Sequence, residues 1–127
     1  MFKYITDAPR APKAIGPYSQ AVVSGNMVFL SGQIPLDPET GKVESTDIVA
    51  QTKQVMNNIE AVLAAEGLTF KNVAKTTIFL TDLGNFQKVN EIYEAALQGV
   101  KPARSTVQVA ALPRGVGVEI EMLAIKS

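Results

Sequence analysis

The sequence predicts an α+β fold: a two-layer sandwich in which two helices cover one face of a mixed β-sheet. Three observations carry that reading. Two segments repeat apolar residues at helical spacing, others are β-branched or alternate apolar with polar residues, and the elements run β-β-β-α-β-α-β-β. At 127 residues and 46% apolar composition, with no linker, repeat or low-complexity run, the chain reads as a single domain over 1–127.

Each element has its own signals. Ala8–Pro17 carries three prolines and reads as a stiff, irregular segment. Ala21–Val23 and Met27–Ser31 flank Ser24-Gly25-Asn26, the pattern of a hairpin closed by a Gly-Asn turn. Pro35–Gly41 is a turn-rich loop. The first helix is capped by Ser45, Thr46 or Asp47 and stopped by Gly67, with Ile48, Val55, Ile59, Val62 and Leu63 forming one stripe. Asn72–Leu80 is β-branched and reads as a strand. Asp82 or Asn85 opens a second helix that ends at Gly99, with Phe86, Val89, Tyr93 and Leu97 on its inner face. Arg104–Val109 and Val118–Ile125 are the last strands. The face without helices is then either wet or covered by another subunit. A second subunit is expected, because it would also shelter a site built there.

Composition excludes several kinds of chemistry. Lys plus Arg and Asp plus Glu each total 12, and aromatics are 6% with no Trp, so neither a basic field nor a stacking platform for nucleic acid is present. No Cys and no His removes disulfides, thiolate nucleophiles, Ser-His pairs and the usual zinc sites. No nucleotide or metal motif occurs, so no cofactor and no metal are expected. No apolar run is long enough to span a membrane, and the first residues lack the pattern of a secretory signal. A cytoplasmic protein is therefore expected. Acid–base chemistry is left to Glu, Asp, Lys, Tyr or water.

The last two strands invite a parity argument. Antiparallel pairing of the two must put their apolar sets on one face, which sends Arg104, Thr106, Gln108, Glu119 and Glu121 to the other. Thr106 would lie opposite Glu119, and Arg104 opposite Glu121. Such a face is either a solvated set of cross-strand pairs or an anion site. Arg104 is one of three arginines, and its planar fork suits a carboxylate, with a nearby Glu to move a proton. Tyr18 follows a rigid Gly-Pro turn, and by itself it reads first as an amphipathic side chain capping the core. Ser31 has no His to activate it, and Gly32 permits close backbone approach. Asn90 lies among apolar residues, where most Asn side chains merely satisfy backbone groups.

Together, Ala14–Gln20, Leu30–Pro35, Val89–Tyr93, Lys101–Ser105, Ala111–Gly115 and Val118–Glu121 resemble the reactive intermediate deaminase (RidA/YjgF) family nearly end to end, most nearly its deaminase-active subgroup. The resemblance implies a chorismate-mutase-like fold and a homotrimer with three clefts between subunits. It implies cofactor-independent hydrolysis of 2-iminobutanoate and 2-iminopropanoate, formed by pyridoxal-phosphate dehydratases, to 2-oxo acids and ammonia. Arg104 would then hold the substrate carboxylate and Glu119 would activate water and carry protons. Gly32 and Thr106 would position substrate and water, while Tyr18, Ser31 and Asn90 would line the cleft. Thr106 stands where many members carry Cys, so thiol-dependent properties are not expected here. The competing implications are a non-catalytic small-carboxylate-binding regulatory module and a chaperone-like protein using the same cleft. Ribonuclease activity is disfavoured by neutral charge and the lack of His.

Overall fold

The strand Val118–Ile125 alternates buried Val118, Ile120, Met122 and Ala124 with more exposed neighbours, and it takes a central place in the sheet. In chain order the computed structural model, which describes residues 1–127, contains β1 (Lys3–Ile5), β2 (Ala21–Ser24), β3 (Met27–Leu30), α1 (Ile48–Ala64), β4 (Val73–Leu80), α2 (Phe86–Leu97), β5 (Ala103–Gln108) and β6 (Val118–Ile125). The strands lie in the order β1-β2-β3-β6-β4-β5. Only β4 and β5 run parallel, so the sheet is mixed, and α2 supplies the crossover that a parallel pair requires. Both helices lie on one face, as expected. Val55, Met56, Ile59, Val62 and Leu63 of α1 and Val89, Tyr93 and Leu97 of α2 are buried in one core with Ile78, Leu80, Val118 and Ile120. No helix is long and apolar enough to cross a membrane.

Local signals explain most boundaries. Asp47 is the cap of α1 and accepts a bond of 2.9 Å from the Ala50 amide. Asp82 accepts from the Gly84 amide and so caps a 3₁₀ turn, Leu83–Asn85, that leads into α2. Asn85 precedes α2 without a side-chain capping bond, and Gln98 ends the helix in the left-handed region at φ 48°. The hairpin between β2 and β3 turns at Gly25-Asn26, with Gly25 at φ 59°.

Two expectations are corrected. Phe86 does not belong to the inner stripe of α2. It is the first residue of the helix and is 38% exposed, beyond the reach of the core. The second correction matters more. Strands β5 and β6 do not pair, because β4 lies between them. The reason is visible in their composition. β4 buries Val73, Thr76, Ile78 and Leu80 and leaves only Ala74 exposed, so it gains from a neighbour on each side. β5 (Ala-Arg-Ser-Thr-Val-Gln) is exposed at five of six positions and suits an edge.

Inserting β4 changes the register. Arg104 aligns with Thr76 and Met122, and Thr106 with Ile78 and Ile120, so Arg104, Thr106 and Gln108 stand on the helix side. Glu119 aligns with Phe79 and Val107, and Glu121 with Thr77 and Ser105, on the helix-free side. The apolar sets that parity was meant to unite are therefore split between faces. The helix-free face is itself partly apolar: Tyr4, Phe29 and Val107 are 63%, 45% and 41% exposed, in rows with Val22, Leu123 and Phe79.

Candidate functional site: two half-sites on opposite faces of the sheet

The first half-site forms around Glu119. After β3 the chain bends so that Gln33 pairs with Ile120 through both backbone bonds, at 2.8 and 3.1 Å. This lays Gly32 on the Glu119 side chain. A Cβ at position 32 would overlap the Glu119 carboxylate, coming within 2.9 Å of its Cδ. The absence of a side chain there is thus what lets backbone and carboxylate meet. Ser31 is fixed from two directions: its amide donates to the Gln20 carbonyl at 2.9 Å, and its hydroxyl donates to the Ser19 carbonyl.

Two buried amides hold the walls of this cleft. Gln20, 1% exposed, accepts from the Ala8 amide at 2.8 Å and donates to the Pro12 carbonyl at 2.7 Å, pinning the proline-rich segment. Asn58 of α1, fully buried, donates to the carbonyls of Ile34 and Leu36 at 3.2 and 2.9 Å. Between these walls is a cleft of about 470 Å³ whose lining includes Lys13, Tyr18, Ser31, Gly32, Pro113 and Glu119. Tyr18 is 54% exposed and stands in its wall without a resolved role in the core. Burial raises the Glu119 carboxyl above its ordinary value of 4.5, and the charge of Glu121 adds to the effect. No cation of the same chain pairs with it, since both ion pairs of the protein belong to Glu66.

The second half-site forms around Arg104. Its Nη1 donates to Asn90 Oδ1 at 2.6 Å, and its guanidinium carbon lies 5.5 Å from the Phe86 ring centre and 5.2 Å from that of Tyr93. Tyr93 is itself fixed, because its hydroxyl donates to the buried Thr76 Oγ1 at 3.0 Å. A cleft of about 460 Å³ opens here between α2 and the start of β5, lined by Asn90, Tyr93, Glu94, Lys101, Pro102 and Arg104 among others. Thr106 lies two residues along the same face. Its hydroxyl oxygen is buried and has no hydrogen-bond partner, the single such side-chain atom in the protein. An unpaired buried hydroxyl is costly unless a bound molecule satisfies it.

The seven site residues expected from sequence therefore fall into two sets within one chain. Tyr18, Ser31, Gly32 and Glu119 share one cleft, while Arg104, Asn90 and the neighbouring Thr106 lie on the other face. Sequence reasoning missed Phe86 and Tyr93 as neighbours of Arg104. Their spacing with Asn90 (i, i+4, i+7) was the available signal, but it reads as an ordinary core stripe. Gln20 and Asn58 were also missed. No group of three His, Cys, Asp or Glu side chains converges to hold a metal ion.

This fold and these residues define an α+β domain with an arginine held by a neutral amide and two aromatic rings on one face and, on the other, a glutamate whose carboxyl is raised above its ordinary value by burial. Comparison with known proteins places it. A profile of the family described as Endoribonuclease L-PSP matches residues 8–126. Protein DfrA of Myxococcus xanthus is 60% identical over 118 residues, covering 91% of this chain and 90% of DfrA. The mouse protein named 2-iminobutanoate/2-iminopropanoate deaminase is 45% identical over 126 residues, covering 99% and 93%. The crystal structure of Escherichia coli TdcF with bound serine superposes with a TM-score of 0.91 at 44% identity, covering 98% of this chain and all of TdcF. The chain belongs to the endoribonuclease L-PSP family, the RidA/YjgF family of the reactive intermediate deaminases.

Proposed function

We propose that this protein is a 2-iminobutanoate/2-iminopropanoate deaminase acting as a homotrimer, with each active cleft built from two protomers. The observation that carries the reading is the division of the site. Arg104 and Glu119 stand on opposite faces of one sheet, each in an open cleft that lacks the other. A second copy that covers the helix-free face would bring its Arg104 edge strand to the Glu119 cleft of the first. The exposed Phe29 and Val107 on that face favour such covering, since apolar side chains in a sheet face gain from removal from water.

In the joined cleft Arg104 grips the substrate carboxylate through a planar pair of N–H groups. Thr106, whose hydroxyl has no partner in the isolated chain, supplies a hydrogen bond to substrate or water. Glu119 takes a proton as water adds to the protonated imine carbon, giving a tetrahedral carbinolamine. It then returns the proton to the nitrogen, and as the C–N bond breaks the carbinolamine hydroxyl gives its proton to Glu119, so that ammonia and the 2-oxo acid leave. The carbon of a protonated imine is already electrophilic, so neither a nucleophilic side chain nor a metal is required. Holding imine and water together supplies much of the acceleration. A carboxyl that keeps its proton to higher pH than usual is suited to both transfers. The name carried by the mouse relative supports the same reaction.

The bound serine in TdcF favours a second reading, a small-carboxylate-binding module without turnover. Ammonia release from 2-iminobutanoate, generated enzymatically and measured with and without the protein, decides between them. Release above the spontaneous rate is expected, and none would leave only the binder.

A further inference from the structure

Arg104 is on an edge strand and is exposed, a setting in which an arginine side chain ordinarily samples many rotamers. Here it is held on three sides by one helix. Phe86, Asn90 and Tyr93 project from α2 at positions i, i+4 and i+7, placing two aromatic rings and one amide oxygen around the guanidinium. The support continues inward, because the Tyr93 hydroxyl is bonded to Thr76 on β4, the strand beside Arg104. The group that holds the guanidinium is a neutral amide. Asn90 Oδ1 engages Nη1 alone, and no carboxylate of the chain pairs with Arg104. Of five N–H donors, one is engaged and the positive charge is intact.

We propose that Asn90, together with Phe86 and Tyr93, is a positioning device that aims Arg104 at an incoming carboxylate while leaving its charge available. Asn90 acts through Arg104. The inference rests on the reading of Arg104 as the carboxylate-holding group, and it makes a distinctive demand on position 90. An aspartate would keep the hydrogen bond and strengthen it, but would also neutralise the guanidinium and compete with the substrate. The near-isosteric Asn90→Asp is then the more harmful change, whereas a purely structural hydrogen bond would tolerate it.

The test uses the full chain with Asn90→Ala and Asn90→Asp, each checked by melting temperature. Nitrogen-15 NMR of the arginine side chains in ligand-free protein reads Arg104 directly. Slow guanidinium rotation is expected in the parent and in Asn90→Asp, and fast rotation in Asn90→Ala. The dissociation constant of 2-oxobutanoate, a stable 2-oxo acid, should rise about fivefold to twentyfold in Asn90→Ala and further in Asn90→Asp. KM for the imine should follow, with kcat within about threefold, because binding rather than proton transfer is disturbed. Unchanged rotation in Asn90→Ala, or parental 2-oxobutanoate affinity in Asn90→Asp, would overturn the proposal. If the Asn90 variants do not fold, Phe86→Leu at an exposed position gives the same reading: weaker 2-oxobutanoate binding supports the clamp and parental binding overturns it. Failure of the parent to hydrolyse imine would overturn the deaminase reading alone, because the rotation and 2-oxobutanoate measurements do not depend on turnover.

Discussion

Glu119 is surrounded so that its protonated form is favoured, and this sets opposite expectations for activity and stability. Burial, then the charge of Glu121, raises its pKa in the folded state above 4.5. The folded protein thus holds this proton more tightly than the unfolded chain. The stabilisation is complete below the unfolded value and is lost as pH rises through the folded one. Glu119→Gln removes the cost of the buried charge, so its melting temperature should exceed that of the parent at pH 7. The difference should shrink as pH falls through the raised folded value and be gone below 4.5. The same variant should lose kcat by roughly 10²–10⁴ as a missing acid–base group, with 2-oxo acid affinity unchanged or improved. A lower melting temperature at pH 7 would mean that a cation from a neighbouring protomer pairs with Glu119 directly. For Arg104→Lys, the charge remains but the planar fork does not. Carboxylate affinity should fall by about 1.5–3 kcal/mol, read as the dissociation constant of 2-oxobutanoate. Unchanged affinity would place the carboxylate elsewhere.

At the level of elements, the ends of the chain are tied to one helix. Glu66, just past α1, has a side chain only 6% exposed and receives Lys3 of β1 and Lys126, which follows β6, each at 2.9 Å. The hydrogen bond from Lys3, then that from Lys126, lowers the Glu66 carboxyl below 4.5 despite its burial. The sign is opposite to that of Glu119. The contribution is present above the unfolded value and is lost as pH falls through the folded one. Lys3 is well exposed, so solvent screens its share. Glu66→Gln should therefore destabilise by about 0.5–1 kcal/mol at neutral pH, seen in denaturant unfolding. The loss should fade in acid, and a loss that persists there would assign the effect to packing instead.

The whole molecule presents a sheet with one face covered by helices and the other bare. Phe29 and Val107 on the bare face are both more than 40% exposed. The trimer expected to cover this face should have a native mass near three times 13.6 kDa. Val107→Asp puts a charge on the edge strand of this face, among its exposed apolar side chains, and should shift the native mass toward the monomer. Imine hydrolysis should fall with it, since each cleft needs two chains. A parent that is monomeric at micromolar concentration, yet active, would remove the shared cleft.

Much of this was legible in the chain. The alternation of Val118 to Ile125, the Asp47 cap, the Gly25-Asn26 turn and the stripe from Val55 to Leu63 each follow from side-chain period and backbone sterics, which act over a few residues. So did the residue types at the site, because the lack of His and Cys leaves carboxylate and guanidinium chemistry. What sequence could not supply was the strand order. Parity tells which residues of one strand share a face, but not which strand lies beside it. Here β4 separates β5 from β6 and sends Arg104 and Glu119 to opposite faces. Strand neighbours are chosen by how much each strand can bury on both sides, a property of the assembled sheet. The helix periods also could not show that Phe86 turns outward to Arg104, because a stripe on α2 has no direction until β5 is placed beside it. Sequence by itself thus determined the elements, the absence of thiol and imidazole chemistry, and the groups available for reaction. Tertiary structure alone decided that those groups stand on opposite faces, each beside its own cleft, because faces and neighbours exist only once strands have paired.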